Sequence, residues 1–466
     1  MLILKLFLIA NIIYGSPVNY KISLAGTFGE PRPYHFHGGA DIKTDRKEGK
    51  PIFSIGDGYI SHVTIGIGGY GNAVYVHHPE GYTSVYAHLQ RFMPQVATMV
   101  KKWQREHGCK EGEIRFRPTV FPVAKGQLLA FSGNTGASQA PHLHLEIHET
   151  QTWKMMDPLD FIGDFIHDNI PPTAHALMAY PQKGEGVVNG SVEDQYFNFS
   201  NDALNDTLTV WGKVGFGIWA NDYMEESTNN FGIRYTDLYV DGHRLFHSDV
   251  NGIDMDDNLQ VHAWGDYSHY RKSHVWYMKS FLSPGVTLPI LSADDQRGIV
   301  CFDEERDYHF IYILADFKGN RREYPFTVKA RHSAIPKPSY HPFHTLAWNR
   351  PNAYQLPGMQ LYVPSRRLVG NVELRPQVYI QRGKYSDAYR LTSDAVAVIA
   401  PCTLSLRVKR QVKDPTKLYV VERSKRECRL KGRYENGWLI VAIRDLDATY
   451  EVGYGDDDYK ESPIIL

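Results

Sequence analysis

Cysteine is scarce in this chain. Cys109, Cys301, Cys402 and Cys428 are the only four among 466 residues, and none sits in a Cys-x-x-Cys pair. That excludes a disulfide-built scaffold and a cysteine-rich structural metal site. Cys402 and Cys428 share one region and could pair, whereas Cys109 and Cys301, far apart in sequence, are expected to be free and buried. An excess of charge of one sign is missing too. Lys and Arg number 51 against 52 Asp and Glu, for a formal net charge of -1, so there is no electrostatic footprint for nucleic acid or an anionic membrane surface. Beyond the N-terminus no stretch reaches the roughly 18 consecutive apolar residues that span a bilayer. Low-complexity tracts and long runs of like charge are absent as well.

At the N-terminus, Lys5 precedes a short apolar run, Leu6 to Ile13, and the small residues Gly15 and Ser16 follow. This is the layout of a secretory signal peptide over residues 1–16, and it implies a secreted or periplasmic protein; the alternative is a buried N-terminal strand. No cysteine follows that run, so a lipid anchor there has no support.

The length suits about three domains at roughly 150 residues each. Residues 17–168 alternate glycine-rich turns with short apolar strands, and the Pro171-Pro172 pair marks a boundary, because consecutive prolines cannot continue regular structure. Residues 174–331 read as an immunoglobulin-like β-sandwich, with Asp241-Gly242 as a type I′ hairpin turn and a second turn around Gly319-Asn320. Residues 332–466 read as a further β-rich domain, with a hairpin at Asn436-Gly437. The fold class expected is therefore mainly β: an N-terminal antiparallel β-sheet domain carrying one helix, then two β-sandwich-like domains. That helix runs from Pro94, suited to a first turn, to Gly108, suited to a C-terminal cap, and Val96, Met99, Val100 and Trp103 form its apolar face.

Three short motifs carry chemistry. HFHGGAD places His37 and Asp41 four apart; its glycines argue against helix, and on an extended chain the two side chains share a face. PHLHLEIH alternates, with His142, His144, Glu146 and His148 on one face and Leu143, Leu145 and Ile147 on the other. YTSVYAHL alternates as well, and puts Tyr82, Ser84, Tyr86 and His88 together. One histidine alone is weak evidence, but three separated segments each offering metal-binding groups on a strand face are stronger. Two imidazoles and one carboxylate would leave a fourth position open, which is the pattern of a catalytic zinc site. The imidazoles argue against calcium or magnesium, which prefer oxygen ligands.

These motifs, taken in order as HGGAD, GGYGNAVYVHH, YAHL and KGQLLAFSGNTGASQAPHLHLE, resemble the lysostaphin-type (LytM-like) zinc metallopeptidases that cut bacterial peptidoglycan. The resemblance covers about residues 33–158. It implies that His37, Asp41 and His144 bind one zinc ion and that His88 and His142 are the catalytic histidines, with the order of their roles open. It also implies that the substrate is the peptide part of the cell wall, either a stem peptide or a cross-bridge. Gln139-Ala140 replaces the usual Ser/Thr-Gly before the proline, and Leu145 stands where Phe is common, which puts fine substrate contacts in doubt. An insertion over about residues 91–124, helix included, is expected to pack as structure or to reshape one wall of the groove. The rival functions are a catalytically silent wall-binding or hydrolase-activating module, and a general protease. In the two later domains Trp211, Trp219 and Trp438 are expected to fill cores; the alternative is exposed rings that bind wall, glycan or a protein partner.

Overall fold

The computed structural model describes residues 14–337, 344–424 and 427–455. The first domain is built on an antiparallel sheet whose strands run in the order Leu24–Gly26, Ala40–Lys43, His142–Glu149, Tyr82–Ala87, Gly71–His77, Gly58–Ile67 and Gly112–Arg115. Alternation along His142–Glu149 decides its two faces. Leu143, Leu145 and Ile147 are fully buried and join Ile42, Val74, Val76 and Tyr86 in one core. His144, Glu146 and His148 lie on the opposite face, across from Ala87, Val85 and Thr83 of the neighbouring strand.

That register corrects one expectation. Leu145 lies opposite Tyr86 and Ile147 opposite Ser84, so Tyr86 and Ser84 face the core and not the polar cleft. His88 reaches the cleft only because it follows the strand with a left-handed backbone, φ 58°, which breaks the alternation and swings its side chain across.

The helix spans Pro94–His107, with Gly108 closing it at φ 64°. Val96 and Val100 belong to the same cluster as Leu143 and Leu145, on the side of the sheet away from the histidines. The helix is therefore packing structure and not a wall of the cleft. Its apolar face is narrower than expected, because Met99 is exposed.

The second domain was expected as a two-sheet sandwich. Its hydrogen bonding runs through one 11-stranded sheet. Thr173–Val188 and Leu208–Asn221 are long strands whose pairing shifts register between Pro181 and Gly186, so each bends and serves both halves of the fold. The hairpin turn at Asp241 and Gly242 has φ 47° and 83°, both positive as a type I′ turn demands. The third domain packs two five-stranded sheets on one core. Cys402 lies buried in one sheet and Cys428 in the other, and both are free, which answers the pairing that the sequence left open. Cys109 and Cys301 are free as expected but exposed, not buried. Trp211, Trp219 and Trp438 are half-buried, neither core fillers nor open platforms.

The first two domains share their interiors. Phe28, Phe36 and Met155 pack into the second domain's core, while Met224 and Phe231 of the second pack into the first. The buried Arg234 bridges them, donating to Asp157 and Asp249 at 2.8 Å each and to Asp160 at 3.3 Å. Tyr14 is buried against His78 and Phe161, and Gly15 donates its backbone N–H to Ile55. Cleavage after Ser16 would remove both contacts; residues 1–13 of the expected leader lie outside the described residues. Among the described residues no helix is long and apolar enough to cross a membrane.

Candidate metal centre

Glycine makes the site possible. A Cβ at Gly39 would sit 2.3 Å from the Leu145 carbonyl oxygen, and one at Gly38 would lie 2.9 Å from Glu146 Oε1. Only bare backbone lets the HFHGGAD segment press against the strand His142–Glu149, which carries Asp41 and His37 to His144. Gly136 does the same for His88: its backbone, at φ 74°, closes on that of Gly69 and Gly71 and sets the Thr135 carbonyl beside the imidazole.

All five residues anticipated from the motifs meet in this cleft. His37 Nε2 lies 3.2 Å from Asp41 Oδ1 and 3.2 Å from His144 Nδ1, and His144 Nδ1 is 2.8 Å from the same Asp41 oxygen. His142 Nε2 approaches that oxygen to 3.3 Å. His88 stacks obliquely on His142, with ring centroids 4.7 Å apart. Two overlapping sets, His37–Asp41–His144 and His88–His142–His144, each hold their donor atoms within 4.8 Å of one another and could hold a metal ion.

Tautomers are fixed by carbonyls, which can only accept. His37, His88 and His142 donate Nδ1–H to the backbone oxygens of Thr27 (2.7 Å), Thr135 (2.8 Å) and Ala140 (2.8 Å). Each therefore turns an unprotonated Nε2 toward the cleft. His144 is reversed: Nε2–H donates to Glu146 Oε1 at 2.7 Å, leaving Nδ1 for the site. An imidazole oriented by a buried carboxylate in this way is the usual support of a metal-binding histidine.

Electrostatics agree. Burial works to raise Asp41, but His37, His142 and His144 outweigh it and hold the carboxyl well below its ordinary range. Burial, together with the neighbouring His144 and His142, pushes His88 down to about 4, so it is neutral. Burial works to lower His144, yet hydrogen bonds to Asp41 and Glu146 raise it to about 10 in the metal-free site, so a metal must displace that proton.

Sequence reasoning missed the support of His144. Glu146, 3% exposed, also accepts from His148 Nε2 at 2.6 Å and from the Tyr70 hydroxyl at 2.8 Å, and His148 stacks on Trp153. Its place two residues after His144, on the same strand face, was the available signal. Tyr70 lies within GGYGNAVYVHH, but nothing in that motif says that its hydroxyl reaches Glu146.

Comparison with known proteins follows the same residues. The sequence profile of peptidase family M23 matches residues 35–105, and that of the Zu5-like domain matches residues 343–455, within the C-terminal β-rich region. An uncharacterized metalloprotease of Haemophilus influenzae is 32% identical over 120 residues, 26% of this chain and 19% of that protein. The peptidoglycan DD-endopeptidase ShyA of Vibrio cholerae is 30% identical over 138 residues, 28% of this chain and 26% of that protein. The matched stretch thus spans only about a fifth to a quarter of these two relatives. Lipoprotein NlpD of Yersinia enterocolitica is 30% identical over 114 residues, 24% of this chain and 91% of that protein. With a relative matched over nearly its whole length and the family profile covering the segments that carry His37, Asp41 and His88, the chain belongs to peptidase family M23.

Proposed function

We propose that this protein is a zinc-dependent endopeptidase that hydrolyses peptide bonds of peptidoglycan, acting at the bacterial cell envelope. The observation that carries the reading is the convergence of His37 Nε2, Asp41 Oδ1 and His144 Nδ1, with His88 and His142 beside them. Two imidazole nitrogens and one carboxylate oxygen fit zinc and leave a position open for chemistry. The ion held there would supply Lewis-acid polarisation of the scissile carbonyl and a lowered pKa for the attacking water.

The chain's own residues do the rest. His88 Nε2, free because Nδ1–H is committed to Thr135, takes the water's proton. His142, held by Ala140 with an unprotonated Nε2 turned into the cleft, accepts a hydrogen bond from the same water and orients it, and the proton taken by His88 passes on to the leaving amine. Glu146 keeps His144 in register. The peptidoglycan substrate is supported by the DD-endopeptidase relative, and the envelope location by that relative together with the leader-like N-terminus.

Muropeptide mass spectrometry after incubating purified wall with the zinc-loaded full chain tests the proposal. New free amino and carboxyl termini are expected, and their masses identify the bond. An unchanged muropeptide profile would refute wall hydrolysis. If casein were cut in parallel, the general-protease reading would replace it; if neither were cut, the silent module would.

A further inference from the structure

Away from the cleft, three carboxylates meet where the linker after the peptidase domain docks on the second domain. Asp168 lies in that linker, Asp222 follows the strand Leu208–Asn221, and Asp316 opens the turn between Asp307–Ala315 and Arg321–Ala330. They are 5%, 2% and 1% exposed, and their ligand oxygens lie within 4.8 Å of one another. Burying three like charges together costs far more than any surface cluster unless something offsets it.

Single N–H donors do so only in part, Ile170 N–H to Asp168 Oδ1 among them. Among the described residues no Lys or Arg pairs with any of the three. Asp168 Oδ2 and Asp222 Oδ1 are buried without a hydrogen-bond partner. Asp316 is aimed at the pair by its own turn: Oδ1 accepts from the N–H groups of Lys318 and Asn320, and Oδ2 from the Asn320 amide. The same amide donates to the Asp168 carbonyl, so linker and turn are already in register. Burial, reinforced by Asp168 and Asp316, pushes Asp222 up to about 9, and burial raises Asp168 to about 7.

We propose that Asp168, Asp222 and Asp316 form a second metal site, selective for calcium, that clamps the linker to the second domain. The donors are all oxygen, with no imidazole or thiolate, which selects a hard cation over zinc. Calcium suits a buried, all-protein cage better than magnesium, which gives up its waters reluctantly.

Calorimetric titration of the divalent-ion-free full chain with calcium chloride is expected to show one ion bound per chain. At a hundredfold excess over Kd the melting temperature should rise by about 5–10 °C. Magnesium chloride should bind more weakly. Asp222→Asn should lose the calcium-dependent rise yet melt no lower than wild type in ion-free buffer, because an amide there adds no charge to the cluster, and Asp316→Asn should lose the rise as well. Position is read independently of the variants from the anomalous signal of terbium in crystals of the wild-type chain, expected between the three carboxylates. No calcium uptake at 10 mM, a preference for magnesium, a terbium peak elsewhere, or an unchanged calcium response in both variants would each overturn the proposal.

Discussion

Glu146 touches no substrate in the proposed reaction, yet the metal centre should depend on it. Its carboxylate accepts from His144, His148 and Tyr70 at 2.6–2.8 Å while only 3% exposed. Burial works to raise its pKa, but His144 and His148 overcome that and hold it well below the carboxylate range, so an anion faces His144. Glu146→Gln can keep the fold. Its amide oxygen can face His144, and its NH2 can donate to the Tyr70 oxygen and to His148. His148 is able to reverse its tautomer because Nδ1 lies 3.2 Å from the Trp153 carbonyl. What is lost is the charge assistance of one hydrogen bond, about 1.4 kcal/mol, or roughly tenfold in metal affinity. Glu146→Ala leaves His144 Nε2–H buried without an acceptor, a further cost of about 1–3 kcal/mol, for a total loss near a hundredfold or more. Competition for zinc against a chromophoric chelator, with circular dichroism as a check on folding, measures both. A folded Glu146→Ala protein that binds zinc as tightly as wild type would refute the view that this carboxylate holds the ligand in place.

Other expectations follow from the same geometry. His88→Ala should retain zinc by metal analysis while turnover falls about 10²–10⁴-fold; full activity would remove His88 from the mechanism. Gly39→Ala drives a Cβ into the Leu145 carbonyl and should cost about 2 kcal/mol or more, seen as a lower melting temperature together with weaker zinc binding; a neutral result would mean the segment can move aside. His262 is 7% exposed and stacked on Tyr267, and burial pushes it down to about 4 despite its bond to the Pro33 carbonyl. Between pH 4 and roughly 6.5 the unfolded chain binds the extra proton. Stability from this group is therefore present above pH 6.5 and is lost, by about 3 kcal/mol, as pH falls toward 4. His262→Gln should flatten that part of a urea-midpoint profile against pH, and an unchanged slope would rule the group out.

How far the sequence could be read depended on whether a signal was local. The strand His142–Glu149 was legible because alternation and burial on one face say the same thing. The helix was legible because Pro94 and Gly108 mark its ends, although Met99 shows that spacing alone overstates the buried face. His88 was found for the wrong reason: the motif pointed to it, but the alternation that assigned it to the Tyr86 face ends one residue too soon, at a left-handed backbone no periodicity could reveal. Nearness in sequence left the pairing of Cys402 with Cys428 open, and the fold sets them in different sheets. Asp168, Asp222 and Asp316 were invisible as a group, since only the tertiary fold brings such distant positions together. Tyr70 escaped for the same reason.

The shared interior of the first two domains bears on how the centre could be isolated. Phe36, next to the ligand candidate His37, is fully buried in the neighbouring domain's core, and its backbone N–H donates to Asn258 of that domain. A fragment ending near residue 168 would strip the support from one side of that histidine and leave an apolar ring in water. The domain that carries the ligand candidates is thus a dependent part of this protein, and its affinity for metal should register the integrity of a neighbour that contributes no ligand.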